Sequence, residues 1–135
     1  MTLVREAMVV DPPSLLVGAT AREAGELLAN PECRAVFVCD DNRLVGVVTR
    51  KTLVREVVAA GRDPRSTPIG EIAEPPYYTV EAETAAEEAF HFMEANDAER
   101  VPVVEDGRLV GVLSRIVLQR RLAEDEPPSQ EIEPI

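Results

Sequence analysis

One stretch of this sequence occurs twice with almost no change. Residues 43–50 are RLVGVVTR, and residues 108–115 are RLVGVLSR. Gly46 and Gly111 occupy the same place in the two stretches, and they are 65 residues apart. This period is longer than that of ordinary solenoid repeats and occurs only twice. It therefore predicts a pair of equivalent units rather than an extended array.

Identities recur along the whole chain at the same interval, without gaps, so the duplication is not confined to one motif. Segments with helical and strand patterns also fall in register at this interval. The coinciding residues are Thr2 with Thr67, Glu6 with Glu71, Ala24 with Ala89, Val36 with Val101, Val38 with Val103, Arg50 with Arg115, Leu53 with Leu118 and Arg55 with Arg120.

Each copy has the pattern of a β-α-β-β-α unit, judged from apolar spacing, a Thr20 helix cap and turn-forming residues. In the first copy the pattern predicts strands at 15–17, 35–39 and 44–49, a turn at 40–43, and helices at 20–29 and 50–60. In the second it predicts a strand at 79–80, a hairpin of 101–104 with 109–114, and helices at 84–95 and 115–123.

These elements divide the chain into copy one (residues 2–61), a linker (62–66), copy two (67–123) and a tail (124–135). The tail is acidic and rich in proline, so we expect it to be disordered. A unit of about sixty residues buries too little apolar surface to be stable alone. We therefore expect an α/β (α+β) fold in which the two units pack together with internal pseudo-twofold symmetry.

Composition narrows the class of protein. The formal charge is −11, from 25 acidic and 14 basic residues, which argues against bulk binding of nucleic acid. There is no run of 18 apolar residues and no apolar core of a signal peptide near the start, so we expect a cytoplasmic protein without a membrane span. The chain begins at a plausible start methionine and shows no further domain, which predicts a stand-alone module that acts in trans.

Catalytic and metal-binding patterns are missing from the sequence. Cys33 and Cys39 do not form a C-x-x-C pair, and we expect reduced thiols, with Cys39 packing in a strand. His91, the only histidine, falls on the outer side of a helix among glutamates and has no nucleophilic partner. Paired acids such as Asp40-Asp41 lie on a turn, with no cleft to raise a pKa. We therefore expect neither an enzyme nor a metal site.

The order of these motifs resembles the CBS domain, and two in tandem resemble a CBS pair, or Bateman module. The resemblance covers residues 2 to about 123. It rests on Gly46-Val47-Val48-Thr49-Arg50, on Gly111-Val112-Leu113-Ser114-Arg115, on the strand Val101-Pro102-Val103-Val104, and on the opening phrases Val4-Arg5-Glu6-Ala7-Met8 and Ile69-Gly70-Glu71-Ile72-Ala73.

The resemblance implies a regulatory module. Proteins of this family commonly bind AMP, ADP, ATP or S-adenosylmethionine in clefts between the paired units. They sense the ligand and regulate an enzyme, channel or transporter, and many form homodimers of four CBS units in a flat disk. A homodimer and an unidentified regulated protein are therefore the implied partners.

Anion binding has a physical basis where each repeated strand ends. Thr49 and Ser114 stand at helix N-termini, where free backbone N–H groups favour an anion. Arg50 and Arg115 follow, and a guanidinium can bind phosphate through two parallel hydrogen bonds. Two readings stay open: the hydroxyls contact a ligand or serve only as helix caps, and the arginines bind an anion or are only solvated or ion-paired.

The sequence departs from the family at the residue that would contact ribose. The family carries an aspartate three residues after the Thr or Ser, and here Thr52 and Val117 stand there. Either a nucleotide is held differently, or the ligand is not a nucleoside, or the pockets are vestigial. The family's adenine slot corresponds to Val10 and Val36 in copy one, and to Tyr77, Val101 and Pro102 in copy two, where Tyr77 or Tyr78 could stack on a base.

Two functions from different classes follow. The first is a regulatory module that binds an adenine nucleotide or a related anion between the units and signals to a partner. The second is a structural or interaction module with vestigial pockets, used for dimerisation or docking. The missing aspartates favour the second, and the retained Thr/Ser-Arg pairs favour the first, which we prefer.

Overall fold

A computed structural model describes residues 1–125 of the chain. Each copy opens with a short helical segment, followed by strands and helices in the predicted order. Copy one contains α1 (Val4–Ala7), β1 (Val9–Val10), β2 (Ser14–Leu16), α2 (Ala21–Leu28), β3 (Val36–Asp40), β4 (Arg43–Val48) and α3 (Arg50–Leu53), which continues as a π-helical turn (Val54–Val58). Copy two contains a 3-10 turn (Ile69–Glu71), β5 (Val80–Glu81), α4 (Ala86–Ala95), β6 (Arg100–Glu105), β7 (Arg108–Ser114) and α5 (Arg115–Asp125).

The strands form one continuous sheet in the order β2-β3-β4-β7-β6-β5, with β1 paired to β7. Its two halves follow the 65-residue interval closely. In copy one β3 pairs in parallel with β2 and antiparallel with β4, and β6 pairs in the same way with β5 and β7. Even the register shift recurs, between Val38 and Cys39 and again between Val103 and Val104. The predicted fold class and the internal duplication are confirmed.

Both hairpins turn through two residues in the left-handed region. Asp41 and Asn42 have φ of 52° and 74°, and Asp106 and Gly107 have φ of 53° and 79°. Positive φ at both central positions defines the tight turn whose twist matches that of the flanking strands, and Asp, Asn and Gly tolerate it best. These turns bring the copies together, because Arg43 of β4 pairs with Arg108 of β7.

The opening segments, residues 2–8 and 67–73, are exchanged between the copies. Val4 is buried in the core of copy two, among residues of α4, β6 and α5. Ile69 and Ile72 are buried in the core of copy one. Equivalent hydrogen bonds fasten both segments: the Val4 N–H donates to the Thr84 carbonyl at 2.8 Å, and the Ile69 N–H to the Ala19 carbonyl at 2.8 Å. Each core is therefore completed by the other copy.

Several boundaries differ from the sequence-based expectation. The second helix of copy one loses α-helical geometry after Leu53 and becomes a π-helical turn. The strand β1 was not anticipated, because two exposed valines carry no alternating pattern. The helix α5 continues to Asp125, so it includes the first two residues of the predicted tail. The rest of that tail, 126–135, lies outside the described residues.

Helix α4 begins at Ala86, not at Thr84 as predicted from the sequence. In copy one the Thr20 hydroxyl accepts from the Glu23 N–H and the Glu23 carboxylate accepts from the Thr20 N–H, which together form a capping box. The equivalent cap position in copy two is Ala85, which has no side chain able to do this. The hydroxyl of Thr84 is one residue too early to replace it.

We therefore expect Ala85→Thr to stabilise the protein. Glu88 occupies the position that Glu23 has in copy one, so the substitution restores both halves of the capping box. The free energy of unfolding should rise by about 1 kcal/mol, measured by urea denaturation. Ala85→Val has a similar shape without the hydroxyl and serves as the control. Equal stability changes in the two variants would contradict this account of the cap.

Candidate functional site

An apolar cavity lies between the two copies and is lined by both of them. This central cavity has a volume of about 390 Å³, within the range of small-molecule sites. Twelve of its lining residues are pairs related by the 65-residue interval, namely Pro13 with Tyr78, Glu32 with Asp97, Cys33 with Ala98, Ala35 with Arg100, Phe37 with Pro102 and Val47 with Val112. The other lining residues are Arg34, Thr49, Glu74, Pro75, Pro76, Tyr77 and Asn96.

The paired positions differ in chemistry, so the cavity has two unlike ends. Copy one contributes the apolar side chains of Pro13, Cys33 and Phe37. Copy two has Tyr78, Ala98 and Pro102 at the matching positions, and it has Arg100 where copy one has Ala35. The symmetric backbone thus forms an asymmetric site.

Of the two tyrosines, Tyr77 is strongly exposed and lines the central cavity. Tyr78 also lines the cavity, and its ring contacts Phe92 edge to face with centroids 5.4 Å apart. Within residues 1–125, Tyr77 makes no such ring contact.

Thr49 lines the central cavity, but its hydroxyl already caps α3. The Thr49 oxygen accepts from the Thr52 N–H at 3.4 Å, while the Thr52 hydroxyl accepts from the Thr49 N–H at 3.0 Å. The two hydroxyl oxygens are 3.1 Å apart. Thr52 is fully buried by this arrangement, so its hydroxyl faces Thr49 and not the cavity.

A second cavity, of about 350 Å³, lies where β7 meets α5. Arg115 borders it with a half-buried side chain, and its guanidinium also pairs with the Asp97 carboxylate at 3.3 Å. Within residues 1–125 the Ser114 hydroxyl has no hydrogen-bond partner, although the residue is only 9% exposed. The lining residues are Arg34, Glu99, Arg100, Ser114, Arg115, Ile116 and Gln119.

The remaining predicted site residues lie apart from these cavities. Val36 and Val101 are fully buried in the two cores, and Val10 is exposed on β1 beside Gly111. Arg50 donates to the carbonyl of Asn30 at 2.8 Å and lines neither cavity. The structure thus brings Thr49, Tyr77 and Pro102 to the central cavity and Ser114 with Arg115 to the second cavity.

The two positions where the family has an aspartate differ in their surroundings. Thr52 is fully buried against Thr49, whereas Val117 is 40% exposed on α5 and lines neither cavity. Neither side chain presents an acceptor to a ligand. The carboxylates that line the central cavity come from Glu32, Glu74 and Asp97 instead.

Sequence reasoning missed two charged residues that border the cavities, Arg34 and Glu74. Arg34 lines both cavities, as Arg100 does, and Glu74 directly follows the opening segment of copy two and pairs with Arg55. Arg34 and Glu74 follow no helical or strand periodicity, because they lie between regular elements.

The cysteines and the histidine take no part in a metal cluster within residues 1–125. Cys39 is buried in β3, and this burial raises the pKa of its thiol, so it stays protonated. His91 is exposed on α4, with its ring nitrogens 3.8 Å from Glu87 and Glu94. None of the helices in residues 1–125 has the length and apolar character needed to cross a membrane.

Duplicated β-α-β-β-α units that exchange opening segments and border a shared cavity define a module of two paired units. The family model described as the CBS domain matches residues 4–59 and again residues 69–124. The chain belongs to the CBS domain family, and it is a tandem CBS pair.

Similar proteins agree with this assignment. Hypoxic response protein 1 of Mycobacterium tuberculosis is 32% identical over 125 residues, covering 92% of this chain and 87% of the relative. The crystal structure of Hypoxic Response Protein I with two coordinated zinc ions has a TM-score of 0.75 at 30% identity, covering 90% of this chain and 99% of that one. The crystal structure of CBSX2 in complex with AMP has a TM-score of 0.72 at 25% identity, covering 90% and 96%.

Proposed function

We propose that this CBS pair is a regulatory module that binds an adenine nucleotide between its two copies and signals the bound state to a partner protein. The observation that carries the proposal is the central cavity. It combines an apolar surface large enough for a base with two guanidinium groups, those of Arg34 and Arg100, at its border, which suits a planar, anionic ligand. The complex of the similar CBSX2 with AMP supports the choice of ligand.

The positive charge is notable in a chain with a net charge of −11. Within residues 1–125 the guanidinium groups of Arg34 and Arg100 form neither ion pairs nor hydrogen bonds. Both border the central cavity, so they are available for an anionic group of a ligand. Contacts with a charged acceptor are stronger than those between neutral groups.

The position of the central cavity links ligand binding to the arrangement of the two copies. Its wall includes Glu74 and Pro75, which directly follow the exchanged opening segment of copy two. A ligand that binds one arrangement of the two copies better than another will shift their equilibrium. A homodimer is part of the proposal, supported by exposed apolar side chains, Val54, Val58 and Ile116, on the last helices of the copies.

The test is a thermal-shift panel of AMP, ADP, ATP, NAD and S-adenosylmethionine. A ligand that binds only the folded protein raises the unfolding midpoint. At a free concentration one hundred times its Kd, it adds about 2.7 kcal/mol to the free energy of unfolding. The shift should fall as ionic strength rises, because the phosphates are held by charge. Val47→Phe, which places a ring in the central cavity, should abolish the shift.

The control is Val45→Phe on the same strand, where the valine is exposed and outside the central cavity. It should leave the shift intact. If no compound moves the midpoint of the wild-type chain, the regulatory proposal fails. The alternative, an interaction module with vestigial pockets, then gains support, and it is already favoured by the absence of an acceptor at Thr52 and Val117.

A further inference from the structure

A groove lies on copy one between α2 and the segment formed by α3 and its π-helical turn. This helical groove has a volume of about 470 Å³, and its lining includes Gly25, Leu53, Val57 and Val58. Val58 is 73% exposed, and Val54, on the same turn, is 58% exposed. The helical side of copy one therefore presents apolar side chains that nothing within residues 1–125 covers.

The duplication shows why copy one has this groove. Gly25 corresponds to Phe90 at the 65-residue interval, and Phe90 packs against the core of copy two. A Cβ placed at Gly25 would have only the Leu53 Cδ1 atom within 4 Å, at 3.8 Å. Leu53 is half-buried, whereas its equivalent Leu118 is fully buried. Copy two therefore fills with an aromatic ring the space that copy one leaves open.

Equivalent positions on α2 and α4 carry complementary polar groups beside this groove. Arg22 borders the helical groove, and its equivalent in copy two is Glu87. Glu26 also borders the groove, and its equivalent is His91, whose ring can donate a hydrogen bond. These four side chains are all between 64% and 79% exposed. At these positions each face is complementary to the face of the other copy rather than to itself.

Three further pairs of equivalent positions on the helices carry like charges, namely Glu23 with Glu88, Arg50 with Arg115 and Arg55 with Arg120. In each pair the copy-one side chain is bound within its own chain. Glu23 accepts from the Thr20 N–H, Arg50 donates to the Asn30 carbonyl, and Arg55 pairs with Glu74. Because these groups are turned towards partners in the same chain, they add little repulsion to a contact between chains.

We propose that a second copy of this chain covers the helical groove, in an antiparallel dimer in which copy one of each chain packs on copy two of the other. Because the two copies share one fold, such a contact is locally symmetric, and residues 65 positions apart lie opposite each other near its axis. Arg22 then faces Glu87, and the open space at Gly25 faces the ring of Phe90. This rests on the homodimer of the proposed function and adds which faces meet and in which direction.

The same residues disfavour a parallel dimer, in which copy one would pack on copy one. Each position near the axis would then face itself, so that Glu87 would face Glu87 and Arg22 would face Arg22. Like charges that are placed opposite each other oppose association. Two Phe90 rings would also meet at one contact, while two open spaces met at the other. Only the antiparallel arrangement pairs opposite charges and a ring with a groove.

Sedimentation equilibrium of the full chain tests the surface. The wild-type chain should form a dimer, and Val58→Glu should raise the Kd of that dimer about a hundredfold, because it puts a carboxylate into each apolar contact. The control is Leu16→Glu, since Leu16 is also strongly exposed but lies on β2, outside the helical groove. It should leave the Kd unchanged. A dimer that tolerates Val58→Glu would contradict this surface.

Crosslinking with a short bis-maleimide tests the direction of the two chains. Arg22→Cys and Glu87→Cys are made as separate variants, and the wild-type chain, which has Cys33 and Cys39, is the blank. A mixture of the two variants should give far more crosslinked dimer than either variant alone, because only unlike positions are close in the antiparallel dimer. Efficient crosslinking of either variant with itself would overturn the arrangement.

The outcomes separate this inference from the rest of the proposed function. A wild-type chain that stays monomeric would overturn both the antiparallel dimer and the proposed homodimer, while ligand binding would still be decided by the thermal-shift panel. A dimer that crosslinks through like positions would overturn the antiparallel arrangement and leave the homodimer standing. The unfolding midpoint of each variant shows that it is folded, so that loss of the dimer is not mistaken for unfolding.

Discussion

Replacing Ile69 by alanine is expected to lower the free energy of unfolding by about 3 kcal/mol. Ile69 belongs to copy two in the sequence, yet its side chain is fully buried in the core of copy one. Alanine removes three side-chain carbons and leaves a cavity that the short 3-10 turn cannot fill by moving, because the Ile69 and Gly70 N–H groups are bound to the carbonyls of Ala19 and Val17. Urea denaturation of the unliganded protein measures the change.

The matched control is Ile116→Ala. Ile116 is also an isoleucine in copy two, but it is 60% exposed on α5. Its replacement should change the stability by less than about 0.5 kcal/mol. Similar effects in the two variants would mean that the exchanged segment contributes little to the core of copy one. That result would remove the physical coupling on which signalling between the copies depends.

Gly46→Ala is expected to cost about 2 kcal/mol of stability and to lower the unfolding midpoint by roughly 8 °C. A Cβ atom at Gly46 would stand 2.7 Å from the Ala73 Cβ and 3.0 Å from the Glu74 carbonyl oxygen. Neither neighbour is the end of a flexible side chain. The antiparallel pairing of Val47 with Glu74, which ties copy two to β4, would have to shift.

Gly18→Ala is the control for this substitution. No atom lies within 4 Å of a Cβ placed at Gly18, and its backbone is not in the left-handed region. Alanine there should leave the stability unchanged or raise it slightly. Gly111, the equivalent of Gly46, should behave like Gly46, because its Cβ would stand 2.8 Å from the Val9 carbonyl oxygen. A harmless Gly46→Ala would contradict the close crossing of the two segments.

These two glycines explain the repeated stretch that the sequence shows. Gly46 lies on β4 where residues 73–74 cross it, and Gly111 lies on β7 where residues 8–9 cross it. A side chain at either glycine would push the crossing segment away from the strand. The repetition of the motif was visible in the sequence, but the partner that crosses it was not. The crossing joins residues that are far apart in the chain, and no local pattern reports such contacts.

Much of the fold follows from local patterns. Apolar runs bounded by turn residues located β3, β4, β6 and β7, and Thr20 as a helix cap located the start of α2. The two tight turns follow from residues that tolerate positive φ. These features depend on residues close in sequence, so one chain without relatives is enough to predict them. The boundary of α4 was wrong because Thr84 resembles a cap but lies one residue early.

The candidate site was predicted less completely. Of the residues named from the repeated motif and the proposed slot, Thr49, Ser114 and Arg115 border cavities, whereas Arg50, Val36 and Val101 do not. A repeat identifies equivalent positions, but it cannot show which of two equivalent hydroxyls is occupied. That depends on neighbours such as Thr52 and Asn30, which differ between the copies.

The sequence by itself determined that the chain is a duplicated β-α-β-β-α unit, because the 65-residue interval and the apolar periodicity can both be read from the order of residues alone. Only the tertiary structure decided which copy each opening segment completes and which charged groups meet at the cavities. Those outcomes depend on residues that are distant in the chain, such as Ile69 in the core of copy one, or Arg34 and Arg100 at the same cavity. Packing the two cores selects such contacts, and no single segment specifies them alone.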